Sequence, residues 1–161
     1  MVWYNHGKLT LLDPSHTTAP VVGEAPFALL TDRIVPGLMK TTYSINIDTD
    51  LDYADITTSG IVATSYIEPG NASSSQLASK TVAVDNANDR AEFDAVDLVY
   101  TAIGNGSNDT FDQIVITREQ DAGATEGNTL LLAHATVAST TTNGGNITLV
   151  WNAEGILQVT A

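Results

Sequence analysis

Short runs rich in β-branched and aromatic residues recur along this 161-residue chain, broken every few positions by Gly, Pro, Asn, Asp or Ser. Leu9–Leu12, Arg33–Met39, Gly60–Ile67, Lys80–Val84, Ala91–Phe93, Leu98–Ala102, Gln113–Arg118 and Leu130–Val137 are such runs, and Asn146–Trp151 and Ile156–Thr160 close the series. Runs of this length and spacing build sandwiches and barrels, and the helical period is nearly missing. The expected class is all-β: an antiparallel β-sandwich or jelly-roll-like barrel with at most one short helix and an irregular N-terminal arm. A chain of this size forms one domain that buries about two-thirds of its unfolded surface.

Local signals refine that outline. Pro36-Gly37 interrupts the second run, and proline lacks the amide a central strand needs, so the run reads as an edge strand or a bulge. Asp48 to Ile56 predicts the one helix, with Asp48 as its N-cap and Ile47, Leu51 and Ala54 on one side. Asp13 to Pro26 holds three of the five prolines and little periodicity, so it is a surface loop or an extended arm. The division is residues 1–26 as N-terminal strand and arm or loop, and 27–161 as a single β-sandwich domain. Glu68–Ser75 reads as a hairpin loop inside it.

The C-terminal end is the clearest local pattern. Asn143-Gly144-Gly145 and Asn152-Ala153-Glu154-Gly155 are turn segments, and they frame the runs Asn146–Trp151 and Ile156–Thr160. Asn-Gly supplies the positive φ of a tight turn, so the two runs are expected to pair as a β-hairpin. Ile147, Leu149 and Trp151 alternate toward one side, which marks a core face.

Charge excludes some partners. The chain carries 6 basic and 19 acidic residues for a formal charge of -13, and phosphate backbones are bound by clustered Lys and Arg. Nucleic acid is therefore not an expected partner. Charged residues are only 16% of the chain, so the polar surface falls to Thr, Ser and Asn. That surface suits a β-protein lying against other protein, or a sugar-binding module. There is no cysteine, which removes disulfides and thiolate metal sites. The opening residues lack a basic segment followed by an apolar run, and no stretch approaches the roughly eighteen apolar residues of a membrane span. The expectation is a soluble protein with no leader and no membrane contact.

Candidate chemistry is thin. The cluster Asp85-Asn-Ala-Asn-Asp-Arg-Ala-Glu-Phe-Asp94 has the oxygens for calcium but not the spacing. An EF-hand loop opening at Asp85 needs an oxygen ligand in place of Ala87, a glycine in place of Arg90 and a glutamate in place of Val96. Only its ligand at Asp89 is met, and Arg90 would repel the cation. The simpler reading is a tight turn, with Asn and Asp tolerating positive φ and Arg90 pairing with Asp85 or Asp89. His6, His16 and His134 are far apart and form no ligand-spaced pair. No nucleophile elbow, phosphate-binding loop or S-x-x-K motif occurs, and nothing selects a catalytic pair among the many carboxylates. The expectation is no enzyme, no cofactor and no metal. Trp3 and Tyr4, near the N-terminus, divide between plugging the core and contacting a partner.

Two blocks carry a resemblance. Asp85–Ile103, with its N-D-R-A-E-F-D-A turn and strand, and Thr141–Leu157, with N-G-G-N-I-T-L-V-W-N-A-E-G-I-L, resemble a family of small structural proteins of tailed bacteriophages. The opening Trp3-Tyr-Asn-His-Gly-Lys8 is similar to the start of those proteins. The blocks cover about a quarter of the chain. The resemblance departs at Ile34-Val-Pro-Gly-Leu38, where related sequences run a smooth apolar strand, and at the longer loop from Asp13 to Pro26.

What the resemblance implies is a virion component of the capsid decoration (cement) type, made in the host bacterial cytoplasm and carried on the capsid surface. Its partner would be the major capsid protein, and it would act as a homo-oligomer, a trimer on the shell. Within that implication the N-terminal arm is the partner-binding element, with Trp3, Tyr4 and His6 as the contact residues. A tail or head-fibre component is the alternative role in a virion, and a carbohydrate-binding β-sandwich is the alternative outside one.

Overall fold

The structure is a computed structural model, described for residues 1–4, 28–57, 76–104, 108–119 and 129–160. It is an all-β sandwich with one short helix among the described residues. In chain order the elements are β1 (Val2–Trp3), β2 (Arg33–Lys40), α1 (Tyr53–Thr57), β3 (Thr81–Asp85), β4 (Arg90–Asp94), β5 (Leu98–Tyr100), β6 (Thr110–Glu119), β7 (Thr129–Thr141), β8 (Ile147–Leu149) and β9 (Leu157–Thr160). They pair antiparallel in three sheets, ordered β1-β7-β6-β2, β3-β4-β9 and β5-β8. The runs Leu9–Leu12 and Gly60–Ile67, the arm Asp13–Pro26 and the loop Glu68–Ser75 fall outside the described residues, as does His6.

The four-stranded sheet is the centre, because both of its faces are covered. On one face Ile34, Ile116, Leu132 and Ala133 meet Leu77, Phe93, Ile156 and Leu157 of the three-stranded side. On the same side Leu38, Phe111 and Ile114 meet Tyr100 and Leu149 of the two-stranded sheet. The opposite face presents Val35, Met39, Val115 and Leu131 to Tyr4, Tyr53 and Ile56, with Tyr43, Ile45 and Ile47 packed around them. A strand buried on both faces reads as a continuous apolar run rather than an alternation, which is why Ile34 to Met39 and Leu130 to Ala133 lack a polar phase.

Pro36 sits where its missing amide costs least. β2 is an edge strand, as the proline predicts, paired on one side to β6 with Pro36 opposite Ile116. Its outer side is not left bare: the Leu77 amide donates to the Ile34 carbonyl at 2.8 Å, and the buried Tyr100 hydroxyl donates to the Pro36 carbonyl. At one end of this sheet Arg33 pairs with Glu119, and Arg118, only 1% exposed, pairs with Asp32 at 2.8 Å. Lys80 donates to the Asp32 carbonyl, and its pKa is lowered by burial against an opposing pull from Asp32.

Two expectations need correction. The helix is shorter than Asp48–Ile56 and its N-cap is Asp52, whose carboxylate accepts the Ala54 amide at 2.9 Å while Asp55 reaches back to accept the Leu51 and Asp52 amides. Asp48 does not serve because the turn before the helix is held by Asp50, which accepts the Asn46 amide and the Tyr43 hydroxyl. The second correction concerns the C-terminal hairpin, which does not form. β8 pairs with β5 and β9 pairs with β4, so Asn152–Gly155 is a corner between two sheets. The corner is fixed at both ends: the Trp151 amide donates to Asp97 and its indole to the Val96 carbonyl, and the Ile156 amide donates to the Phe93 carbonyl.

Candidate functional site

Trp3 and Tyr4 follow each other on a strand, so their side chains leave on opposite faces. β1 lies against β7 with Val2 opposite His134 and Trp3 opposite Ala133, and the Tyr4 amide continues the ladder to the Leu132 carbonyl at 2.9 Å. Trp3 turns toward the three-stranded side, half-buried, and its indole donates to the Gln158 carbonyl at 3.2 Å. Tyr4 turns the other way and is 0% exposed among Val35, Met39, Tyr53, Ile56, Val115 and Leu131. Its ring meets His134 edge-on at 5.7 Å between centroids. Burial, then the charge of Asp50, pushes its hydroxyl pKa well up, so the phenol stays neutral. The expectation that Tyr4 contacts a partner is corrected: it plugs the core and has no surface to offer.

The two blocks that carry the resemblance interlock. β3 and β4 form a hairpin with Asp85 opposite Arg90, and Asp89 in its turn takes φ +51°. Asp85 organises the turn by accepting the Ala87 amide at 3.0 Å and the Asn88 side-chain amide at 2.6 Å. Those bonds, first that from Asn88, hold its carboxyl below the ordinary range. Arg90 pairs with Asp85 at 3.1 Å, Glu92 at 2.6 Å and Glu154 at 2.8 Å, so its partners are Asp85 as expected but not Asp89. Glu154 belongs to the second block, and β9 beyond it lies along β4 with Leu157 opposite Phe93. Gly155 is needed at the join: it has φ +87°, and a Cβ there would stand 3.0 Å from the Phe93 carbonyl oxygen. The guanidinium thus bridges carboxylates of both blocks. No group of three or more His, Asp or Glu side chains poised to hold a metal ion occurs among the described residues.

The outer half of this three-stranded sheet is unlike the rest of the molecule. The register sets Val82, Phe93 and Leu157 in one row across the sheet and Val84, Ala91 and Val159 in the next, all on one face. The first row ends in the core at Phe93 and Leu157, while the second overhangs it. Val82, Val84 and Val159 are 52%, 71% and 46% exposed. The opposite face of the sheet carries Ala83, Arg90 and Glu92. β3 pairs only with β4 among the described residues, and no strand among them lies along its other edge.

A second open feature lies between the outer half of β7 and residues 146–152. It is a groove of about 720 Å³, walled by Ala135, Val137, Ile147 and Trp151 over a floor of Phe111 and Ile114. Trp151 belongs to both apolar clusters on that side, and Ile147 and Leu149 share its direction while Thr148 and Val150 face out. The core-face alternation read from the sequence is therefore present. Both indole N–H groups of the chain are engaged by backbone carbonyls and both rings are packed, so neither tryptophan is a free stacking platform for a sugar.

The valine row was not singled out from the sequence. Its signal was present in the alternation Thr81-Val82-Ala83-Val84-Asp85, but alternation marks a face without saying what covers it. No protein-family model, curated protein or solved structure matches this chain.

Proposed function

We infer that this protein is a structural component of a tailed-phage virion that decorates the outside of the assembled capsid and stabilises it. The observation that carries the reading is the pair of sequence blocks similar to phage structural proteins. Two distant segments form one unit through the Arg90–Glu154 pair, the β4–β9 ladder and the Gly155 join. They are halves of one structural device, which is a physical reason for both to occur in the same chains.

The mechanism is mechanical. A protein that binds the assembled shell and not its free subunits stabilises the shell by mass action. A trimer placed on a symmetry axis of the major capsid protein engages equivalent patches and gains effective concentration with no new chemistry. The acid-rich chain keeps such an outer layer soluble and repels nucleic acid. His6 remains the arm candidate, and Trp3 acts there through the strand it anchors to β7 rather than through a free ring.

Disrupted virions separated into heads and tails test the reading. The protein is expected with the heads, in a fixed ratio to the major capsid protein. Recovery with the tails selects the fibre role, and recovery with neither removes the virion reading.

A further inference from the structure

We propose that the exposed edge of β3, which no strand among the described residues pairs, docks with the valine row beside it an extended segment of another protein in which apolar residues alternate with basic ones, added as a fourth strand. Three observations converge on that occupant. The first is the edge itself, where Thr81 to Val84 are all exposed and nothing among the described residues pairs with their outer backbone groups. Unpaired strand edges bind extended chain through the main chain and select it through alternate side chains. The second is the row Val84-Ala91-Val159, which an added strand would extend by one position, with Val82 and the cleft lined by Trp3 and Leu29 beside it.

The third is charge. Asp85, Asp89, Glu92, Asp94 and Glu154 surround this sheet, and Arg90 is the only guanidinium among them. On the polar face Ala83 stands beside Glu92 in the register, so only a methyl separates the edge from that carboxylate. A lysine or arginine on the added strand can pass over it toward Glu92 and Asp85. A second copy of this chain is the wrong complement. Its five Lys and Arg side chains among the described residues are already held: Arg33 by Glu119, Lys40 by Asp109, Lys80 by the Asp32 carbonyl, Arg90 by its three carboxylates and Arg118 by Asp32. Edge-to-edge pairing of two copies would bring two acid-rich sheets together.

The test uses the full chain and an acetylated, amidated peptide of alternating lysine and valine, with a glutamate–valine peptide as control. Titration by fluorescence anisotropy is expected to show saturable binding of the lysine peptide only, weakened by salt. Val84→Lys is expected to weaken it about tenfold or more, because a charge replaces the row and repels the ligand. Circular dichroism and the thermal midpoint of that variant confirm that it is folded, and slowed amide exchange at residues 81–85 in the complex reports the added strand. Absence of binding, equal binding of the glutamate peptide, or unchanged affinity in Val84→Lys overturns the proposal. So does a dimer in light scattering that Val84→Lys dissolves, which would make a second copy the occupant.

Discussion

The four-stranded sheet and the three-stranded sheet are built from similar residues and end in opposite situations. In β2, β6 and the first half of β7 the apolar positions are covered on both faces, and even the carbonyl of edge residue Pro36 is met by the Tyr100 hydroxyl. In β3, β4 and β9 an equally regular apolar row runs past the core, so Phe93 and Leu157 are buried while Val84 and Val159 are not. The lesson is that residue type sets which side of a strand is apolar, and position in the assembly of sheets sets whether that side is used. The first sheet holds the fold; the second leaves an apolar row exposed.

That contrast can be broken by substitution, and the largest effect is expected at the buried end of the central sheet. Arg118→Ala leaves the Asp32 carboxylate without its guanidinium at a site nine-tenths or more buried, and should lower stability by about 3–5 kcal/mol in denaturant unfolding. A smaller loss is expected at the loop end. Gly104 has φ +83°, and a Cβ there would lie 2.3 Å from Thr142 Oγ1, so Gly104→Ala should cost about 2 kcal/mol in the same measurement. Thr142 cannot easily retreat, since its hydroxyl accepts the Asp109 amide and its own amide donates to the Asp109 carbonyl.

A pH effect comes next. Burial, and then the Met1 ammonium, lowers the His134 pKa below its ordinary value, so the folded state binds the proton less readily than the unfolded chain. The stability this contributes is present above the unfolded pKa of about 6.5 and is lost as pH falls through the folded value. The thermal midpoint should therefore drop as pH falls below about 6.5, and His134→Gln should flatten the drop. The smallest effect is expected on the bare sheet: Val84→Lys should change stability by no more than about 0.5 kcal/mol, because its side chain already faces water. A loss as large as that at Arg118 would mean the row is covered and the contrast is wrong.

Much of this architecture was legible in the residues. Each described run appears as a strand, and Pro36 announced its edge position because a missing amide has the same consequence in any fold. The acidic turn was legible too, since Asp89 adopts the positive φ that Asp tolerates. Pairing was not. Asn152–Gly155 has the composition of a hairpin turn, but Ile147 pairs with Tyr100 and Leu157 with Phe93, and such distant partners leave no trace in local spacing. The N-cap was ambiguous because Asp48, Asp50 and Asp52 are chemically alike, and Tyr43 and Asn46 decide which one is free to cap. Trp3 and Tyr4 were undivided for a similar reason: alternation puts them on opposite faces, and the partner sheet alone decides which face lies deepest.

We propose, joining the two readings, that the segment docked at the exposed edge of β3 belongs to the assembled shell. Co-sedimentation of the wild-type protein and Val84→Lys with purified empty capsids, and with unassembled capsid subunits, tests it most directly. The wild type is expected to pellet with capsids and stay in solution with subunits, and Val84→Lys is expected to lose the pelleted fraction. Wild-type protein that remains in the supernatant beside intact capsids would contradict it.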